Sequence, residues 1–358
     1  MSNVPDQATY RILDANSNRA AEGLRTLEEC ARFSLNEAKL SEQCKKLRHD
    51  LTAAIDLFSR EKRLQARDTG HDVGTQISAE SEANRQNIRH VVAAAAARTQ
   101  QSLRVLEEYG KTIDPSAAAK IEQVRYRCYE TCRELELQLI TDDRRQRLAT
   151  SQLYVLVSAG DSQQGFQDRI RLLFDSGVDV IQLRDRSCDD RTLLERAKAA
   201  SVIARESNGL FIVNDRCDLA VASDADGVHV GQDEMPGIDA RGIIGTRRLL
   251  GISTHNLSQV HAAITDDADY IGCGPVFAGK TKCFDRYVGP EFLSEVHNAP
   301  KANPLPAFAI GGITGANLDT VLQTGFHRIA VTGAIRDASD AATAARTLKE
   351  KLSAFRPS

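Results

Sequence analysis

VDVIQLRDR, residues 178–186, begins as one of the most apolar runs in the chain and ends in two arginines around an aspartate. A short β-branched run of this kind reads as a buried strand. Seven others resemble it: LYVLVS (153–158), LFIVND (210–215), GVHVG (227–231), LLGIST (249–254), YIGCG (270–274), AFAIGG (307–312) and RIAVTG (328–333). Each is followed by a helix-length amphipathic stretch, and eight such units over about 200 residues predict a (β/α)8 TIM barrel of the α/β class. A doubly wound sheet competes, but no Gly-rich dinucleotide fingerprint follows the first strand.

In a barrel the ligand site forms at the C-terminal ends of the strands. Arg184 and Arg186 then leave a buried strand at the face where a substrate sits, which accounts for charge at the end of so apolar a run. The third strand delivers Asn214 and Asp215, the fourth is followed by Gln232, Asp233 and Glu234, and the fifth presents Ser253 and Thr254. GPVFAGKTK (274–282) follows the sixth, and the last two end in Gly311-Gly312 and Thr332-Gly333. Glycines there let backbone N–H groups approach a phosphate, and the loops after strands seven and eight are the usual phosphate sites of such barrels. Carboxylates beside arginines and lysines suit a diphosphate held partly by Mg2+, which takes one or two protein carboxylates and completes its shell with phosphate and water. The bland alternatives are a helix cap for the aspartates, surface ion pairing for the arginines and a tight turn for Gly-Gly.

The first 140 or so residues carry apolar positions at helical spacing, as at Leu24, Leu27, Ala31 and Leu35. They predict an all-α N-terminal domain, residues 1–145, with helices at 7–35, 38–60, 79–111 and 116–140, preceding the barrel at 151–358. The charged stretch TDDRRQRLATSQ (141–152) reads as the boundary, and ARDTGHDVGT (66–75), with His71 between Asp68 and Asp72, as a loop. EGLRTLEECAR (22–32) and QSLRVLEEYGK (101–111) echo each other through Leu-Arg-x-Leu-Glu-Glu, which two similar amphipathic helices explain without a duplication.

A net charge of −3 and a pI near 6.3 give no nucleic-acid surface. No apolar run approaches a membrane span and no signal sequence opens the chain, so a soluble cytoplasmic protein is expected. The eight cysteines fall singly, with Cys128 and Cys132 one helical turn apart, so free thiols are expected rather than zinc ligands or disulfides.

The segments QLRDR (182–186), ND (214–215), DGVHVGQDE (226–234), GIST (251–254), GP followed by KTK (274–282) and AIGGI (309–313) resemble thiamine phosphate synthase, in order and at the expected strand ends. The resemblance covers about residues 151–350. It implies that 4-amino-5-hydroxymethyl-2-methylpyrimidine diphosphate and a thiazole phosphate are joined to give thiamine monophosphate and diphosphate. Residues Gln182, Leu183, Arg184, Asp185 and Arg186, with Asn214, Ser253 and Lys282, would meet the pyrimidine diphosphate, and Arg184, Ser253 and Lys282 would act in catalysis. Asp215 and Glu234 would hold Mg2+. Gly279, Lys280, Thr281, Gly312, Val331 and Thr332 would meet the thiazole phosphate. Arg186 stands where the family usually has Lys, Glu234 where it has Asp, and Ala278-Gly279 where it has Pro-Thr, so Asp233 is an alternative ligand. The helical half resembles an extension found on some bacterial members.

A diphosphate on a benzyl-like carbon can leave before the nucleophile arrives, so such a site needs charge neutralisation rather than a strong base. His229 and His255 then serve as packing or polar lining. A thiazole tautomerase on a similar barrel would not need Asp215, Glu234 and Lys282. A regulatory protein that binds thiazole phosphate would make no product. The expected partners are small-molecule substrates, without nucleic acid or membrane, and a homo-oligomer is left open.

Overall fold

The computed structural model of the chain describes residues 7–73, 84–278, 287–298 and 305–355. Two compact units divide it, Met1–Asp142 and Asp143–Ser358.

The first unit is helical: α1 (Gln7–Glu29) with a closing π turn, α2 (Ala38–Ile55), α3 (Arg60–Ala66), α4 (Ile88–Gly110) and most of α5 (Pro115–Thr150). Leu13, Leu24, Leu27, Leu103, Leu106 and Ile121 form its core, as the spacing predicts. Helices α1 and α4 meet closely at Gly23, where a Cβ would lie 2.1 Å from Thr99 Oγ1. The echoed motif recurs as one ion-pair pattern. Arg25 pairs with Glu28 and Glu29, and Arg104 with Glu107 and Glu108. Buried Glu28 accepts from Arg48 Nε at 3.0 Å, and buried Glu107 from Arg125 Nε at 2.7 Å.

Three helix boundaries differ from the sequence expectation. The second helix stops at Ile55 and a new one starts after Ser59, whose side chain caps Lys62 N. The third starts at Ile88 rather than 79, because the Asn87 side chain accepts from His90 N and fixes the helix start; residues 79–83 lie outside the described ones. The fourth runs on to Thr150, so most of 141–152 is helix rather than linker. Its charges are not solvent-facing linker charges: Arg144 Nε reaches Asp226 Oδ1 at 2.8 Å and Arg145 Nε reaches Asp269 Oδ1 at 2.9 Å.

In the second unit, residues 143–150 of α5 lead into eight parallel strands. These are β1 (Leu153–Val157), β2 (Val180–Leu183), β3 (Leu210–Asn214), β4 (Gly227–Val230), β5 (Leu249–Thr254), β6 (Tyr270–Cys273), β7 (Ala307–Ile310) and β8 (Ile329–Val331). They pair in chain order and close into a barrel between β8 and β1, the predicted architecture. Helices α6 (Gln163–Asp175), α7 (Asp190–Glu206), α8 (Cys217–Ala222), α9 (Gly237–Ile244), α10 (Leu257–Thr265), α11 (Gly289–His297), α12 (Leu318–Gln323), α13 (Gly333–Arg336) and α14 (Ala341–Ala354) connect or follow them.

Alternate strand residues face opposite ways. Val155, Ile181, Phe211, Val228, Leu250 and Ile271 pack outward under the helices. Tyr154, Val180, Leu210, Leu249, Tyr270 and Phe308 fill the interior, and Leu148 from the end of α5 joins that cluster. The barrel's lower end is therefore stopped by a residue that precedes its first strand.

The described cysteines are all free thiols. Among the described residues no helix is long and apolar enough to cross a membrane.

Candidate active site

The inward parity that fills the lower barrel with aromatic residues delivers polar ones at the upper ends. Gln182, Asn214, His229, Ser253 and Thr332 continue the sets begun by Val180, Ile212, Gly227, Gly251 and Ala330. With Arg184, Arg186, Asp215, Asp233, Glu234 and Gly312 they line one cavity of about 210 Å3, floored by Tyr154, Tyr270 and Phe308. Leu183 and Val331 have the opposite parity. Both are buried in the layer under the helices, so neither side chain enters the cavity. Asp185 is absent from the lining as well. Its carboxylate accepts from Ala159 N at 3.1 Å, Ser187 N at 3.0 Å and Ser187 Oγ at 2.7 Å, tying the β2 exit to the β1 exit. Burial pushes the Asp185 carboxyl up, but the bonds from Ser187, Ala159 and Cys188 outweigh it and leave the pKa lowered. Gly279, Lys280, Thr281 and Lys282 lie outside the described residues.

Asp215 leaves β3 in the left-handed region, φ 58°, a conformation aspartate tolerates better than most residues. Its N–H donates to His229 O at 2.8 Å, which locks the turn. Its Oδ2 accepts from Arg186 Nη2 at 3.2 Å, and Glu234 Oε1 accepts from the same nitrogen. Two carboxylates from neighbouring strand ends thus converge on one cationic nitrogen. Burial first, then the charge of Glu234, raises the Asp215 pKa, and Arg186 only partly offsets this. Glu234, rather than the more exposed Asp233, makes this contact.

Below them runs a buried hydrogen-bonded series. His229 Nε2 lies 3.0 Å from Ser253 Oγ and its Nδ1 lies 3.3 Å from Tyr270 Oη, which is 3.0 Å from Tyr154 Oη. Burial lowers the His229 pKa to about 4, so the ring is neutral near pH 7. His255 meets Gly274 O through Nδ1. At the opposite side of the mouth Gly312 has φ 62°, and a Cβ there would fall 2.5 Å from Ala278 O. Only glycine meets both requirements. Tyr154, Tyr270 and Phe308 are not among the site residues read from the sequence, whereas Gln232, which also lines the cavity, is. Alternation along β1, β6 and β7, where Tyr154, Tyr270 and Phe308 take the inward parity and Val155, Ile271 and Ala309 the outward one, is the signal that marks this interior layer.

Residues 153–335 match the family model described as thiamine monophosphate synthase, and residues 11–134 match the ThiD2 family. A thiamine-phosphate synthase of Rhodopirellula baltica is 52% identical over 338 residues, covering 94% of this chain and 90% of the relative. The Synechocystis thiamine-phosphate synthase is 40% identical over 357 residues, covering 100% of both. Among solved structures, the thiamine phosphate pyrophosphorylase of Pyrococcus furiosus is 32% identical with a TM-score of 0.50, and the match covers 58% of this chain and 97% of that one. The chain therefore belongs to the thiamine-phosphate synthase family, transferases of thiamine biosynthesis, and carries a ThiD2-type helical region ahead of its barrel.

Proposed function

We propose that the barrel joins 4-amino-5-hydroxymethyl-2-methylpyrimidine diphosphate to a thiazole phosphate, releasing diphosphate and forming thiamine monophosphate. The observation that carries this reading is the separation of charge at one mouth. Arg184 lines it with no carboxylate partner among the described residues, while Asp215 and Glu234 converge beside it on Arg186. A cation left free of carboxylates suits a phosphoryl ligand, and a converging carboxylate pair suits a hard metal ion.

The pair supplies oxygen donors only, and among the described residues no three His, Cys, Asp or Glu gather as a protein cage would need. That suits Mg2+, which fills most of its shell with phosphate and water. Asp215 and Glu234 would hold the ion, and when bound it would neutralise charge on the departing diphosphate. Arg184 would neutralise the same charge directly, with Lys282 as the further cation implied by the resemblance. Gln182, Asn214 and Ser253 fix the pyrimidine over the Tyr154–Tyr270 floor, so that its carbon loses diphosphate in a dissociative step. Gly312, Thr332 and the backbone near Val331 would take the thiazole phosphate, and the resemblance adds Gly279, Lys280 and Thr281 to them. No general base is required, in keeping with a neutral His229. We assign the synthase to the second unit and a separate role to residues 1–145.

The test supplies the purified full chain with both substrates and Mg2+ and follows thiamine monophosphate. Product formation that stops in excess chelator is expected. No product with both substrates and metal overturns the substrate assignment, and undiminished turnover in chelator overturns the metal role.

A further inference from the structure

Gln182 on β2 and Ser253 on β5 stand apart on the barrel wall, yet buried side chains connect them. Gln182 lines the same cavity as Tyr154, and the pull of its side chain on the Tyr154 hydroxyl partly offsets the rise that burial gives that group. That hydroxyl meets Tyr270 Oη at 3.0 Å, which meets His229 Nδ1 at 3.3 Å, and His229 Nε2 meets Ser253 Oγ at 3.0 Å. Tyr154 and Tyr270 are 2% and 1% exposed, so no bulk solvent competes for these bonds. The strands make room for the series. A Cβ on Gly251 would lie 2.5 Å from both His229 Nδ1 and Tyr270 Oη.

We propose that Tyr154, Tyr270 and His229 are positioning residues that couple Gln182 to Ser253, so that the two polar groups meet the pyrimidine ring as one unit. This rests on the substrate assignment above. Hydroxyls and a neutral imidazole in series can be ordered in two directions only. Ordered one way, Ser253 keeps its hydroxyl hydrogen for the ligand and Gln182 turns its carbonyl outward. Ordered the other way, Ser253 accepts and Gln182 turns its amino group outward. In both, the two ends offer opposite characters, the pattern shown by an amino group beside a ring nitrogen. Such a series also strengthens each of its bonds, so a break at the middle is felt at both ends.

The experiment is a double-mutant cycle on the full-length enzyme. Tyr270→Phe removes the central hydroxyl and keeps the ring, and Tyr154→Phe breaks the same series one link away should the first variant not fold. Each is expected to lower kcat/KM for the pyrimidine diphosphate about tenfold while the KM for thiazole phosphate stays within about twofold. In a Ser253→Ala background the same substitutions should cost clearly less, about threefold, because only the Gln182 end is left to feel the break. An equal loss in both backgrounds, or a parallel rise in the thiazole KM, overturns the coupling. A wild-type enzyme inert toward this substrate pair overturns the substrate assignment instead, and with it the ring that the coupling is meant to hold.

Discussion

Arg184 and Arg186 leave the same strand two residues apart and bring different charges to the mouth. Arg184 meets no carboxylate among the described residues, whereas Arg186 is compensated by Asp215 and Glu234. Arg184→Ala is accordingly expected to lower kcat about 100-fold, since it removes charge that matters most as diphosphate departs. Gly312→Val should instead raise the KM for thiazole phosphate, because the new side chain enters the space beside Ala278 O. Steady-state kinetics with each substrate varied separately checks both, and a change in the same constant for both variants contradicts this division of the mouth.

Glu234→Ala should raise the Mg2+ requirement steeply. Glu234→Asp keeps much of the activity, and Asp233→Ala changes little, because Glu234 is the residue that joins Asp215 at Arg186. Asp215 has a raised pKa, so acidification protonates it earlier than an ordinary aspartate and metal affinity falls accordingly. Titrating Mg2+ against rate at several pH values measures each effect, and a larger loss in Asp233→Ala moves the ligand by one residue.

His229 makes the barrel acid-sensitive. Its pKa falls from 6.5 in the unfolded chain to about 4 in the fold, so folding favours the neutral ring. That contribution is complete above pH 6.5 and is lost as pH falls from 6.5 toward 4, by at most about 3 kcal/mol, less for the face open to the mouth. His229→Gln should flatten this part of the barrel's stability profile. Thermal unfolding of both proteins across that pH window decides it, and parallel profiles would show that His229 is not the titrating group.

Shortening the chain tests the lower end of the barrel. A fragment of residues 143–358 is expected to fold and keep synthase activity. Starting at residue 151 removes Leu148 from the interior cluster and leaves Asp226 and Asp269 without Arg144 and Arg145. Leu148→Ala alone should cost about 2–5 kcal/mol. Circular dichroism melts and specific activity compare the fragments; equal stability of the two would show that residues 143–150 do not close the barrel.

Much of the barrel is legible in the sequence because a strand covered on both faces must be apolar throughout, and eight such runs are hard to mistake. The polar residues that interrupt those runs at their ends, Gln182, Asn214, Asp215 and Ser253, also declare themselves. Three things stay hidden. The stretch 141–150 looks like a linker since its arginines meet Asp226 and Asp269, partners 82 and 124 residues away. Leu183 and Val331 belong to motif segments, yet strand parity turns them under the helices. Arg186 resembles Arg184 in sequence, and only the folding of β3 and β4 beside it supplies the carboxylates that set the two apart.

The plug formed by Leu148 has a rotational meaning. In an α-helix each residue advances the side-chain direction by about 100°, and this turn seats Leu148 in the interior cluster while Arg144 and Arg145 reach Asp226 and Asp269. A single residue inserted between 145 and 148 would swing Leu148 off the barrel axis while the arginines kept their aspartates. A single deletion at the same place would do the reverse turn. The join between the helical sequence and the first strand is thus keyed like a bayonet fitting, tolerant of conservative replacement and intolerant of a change in length.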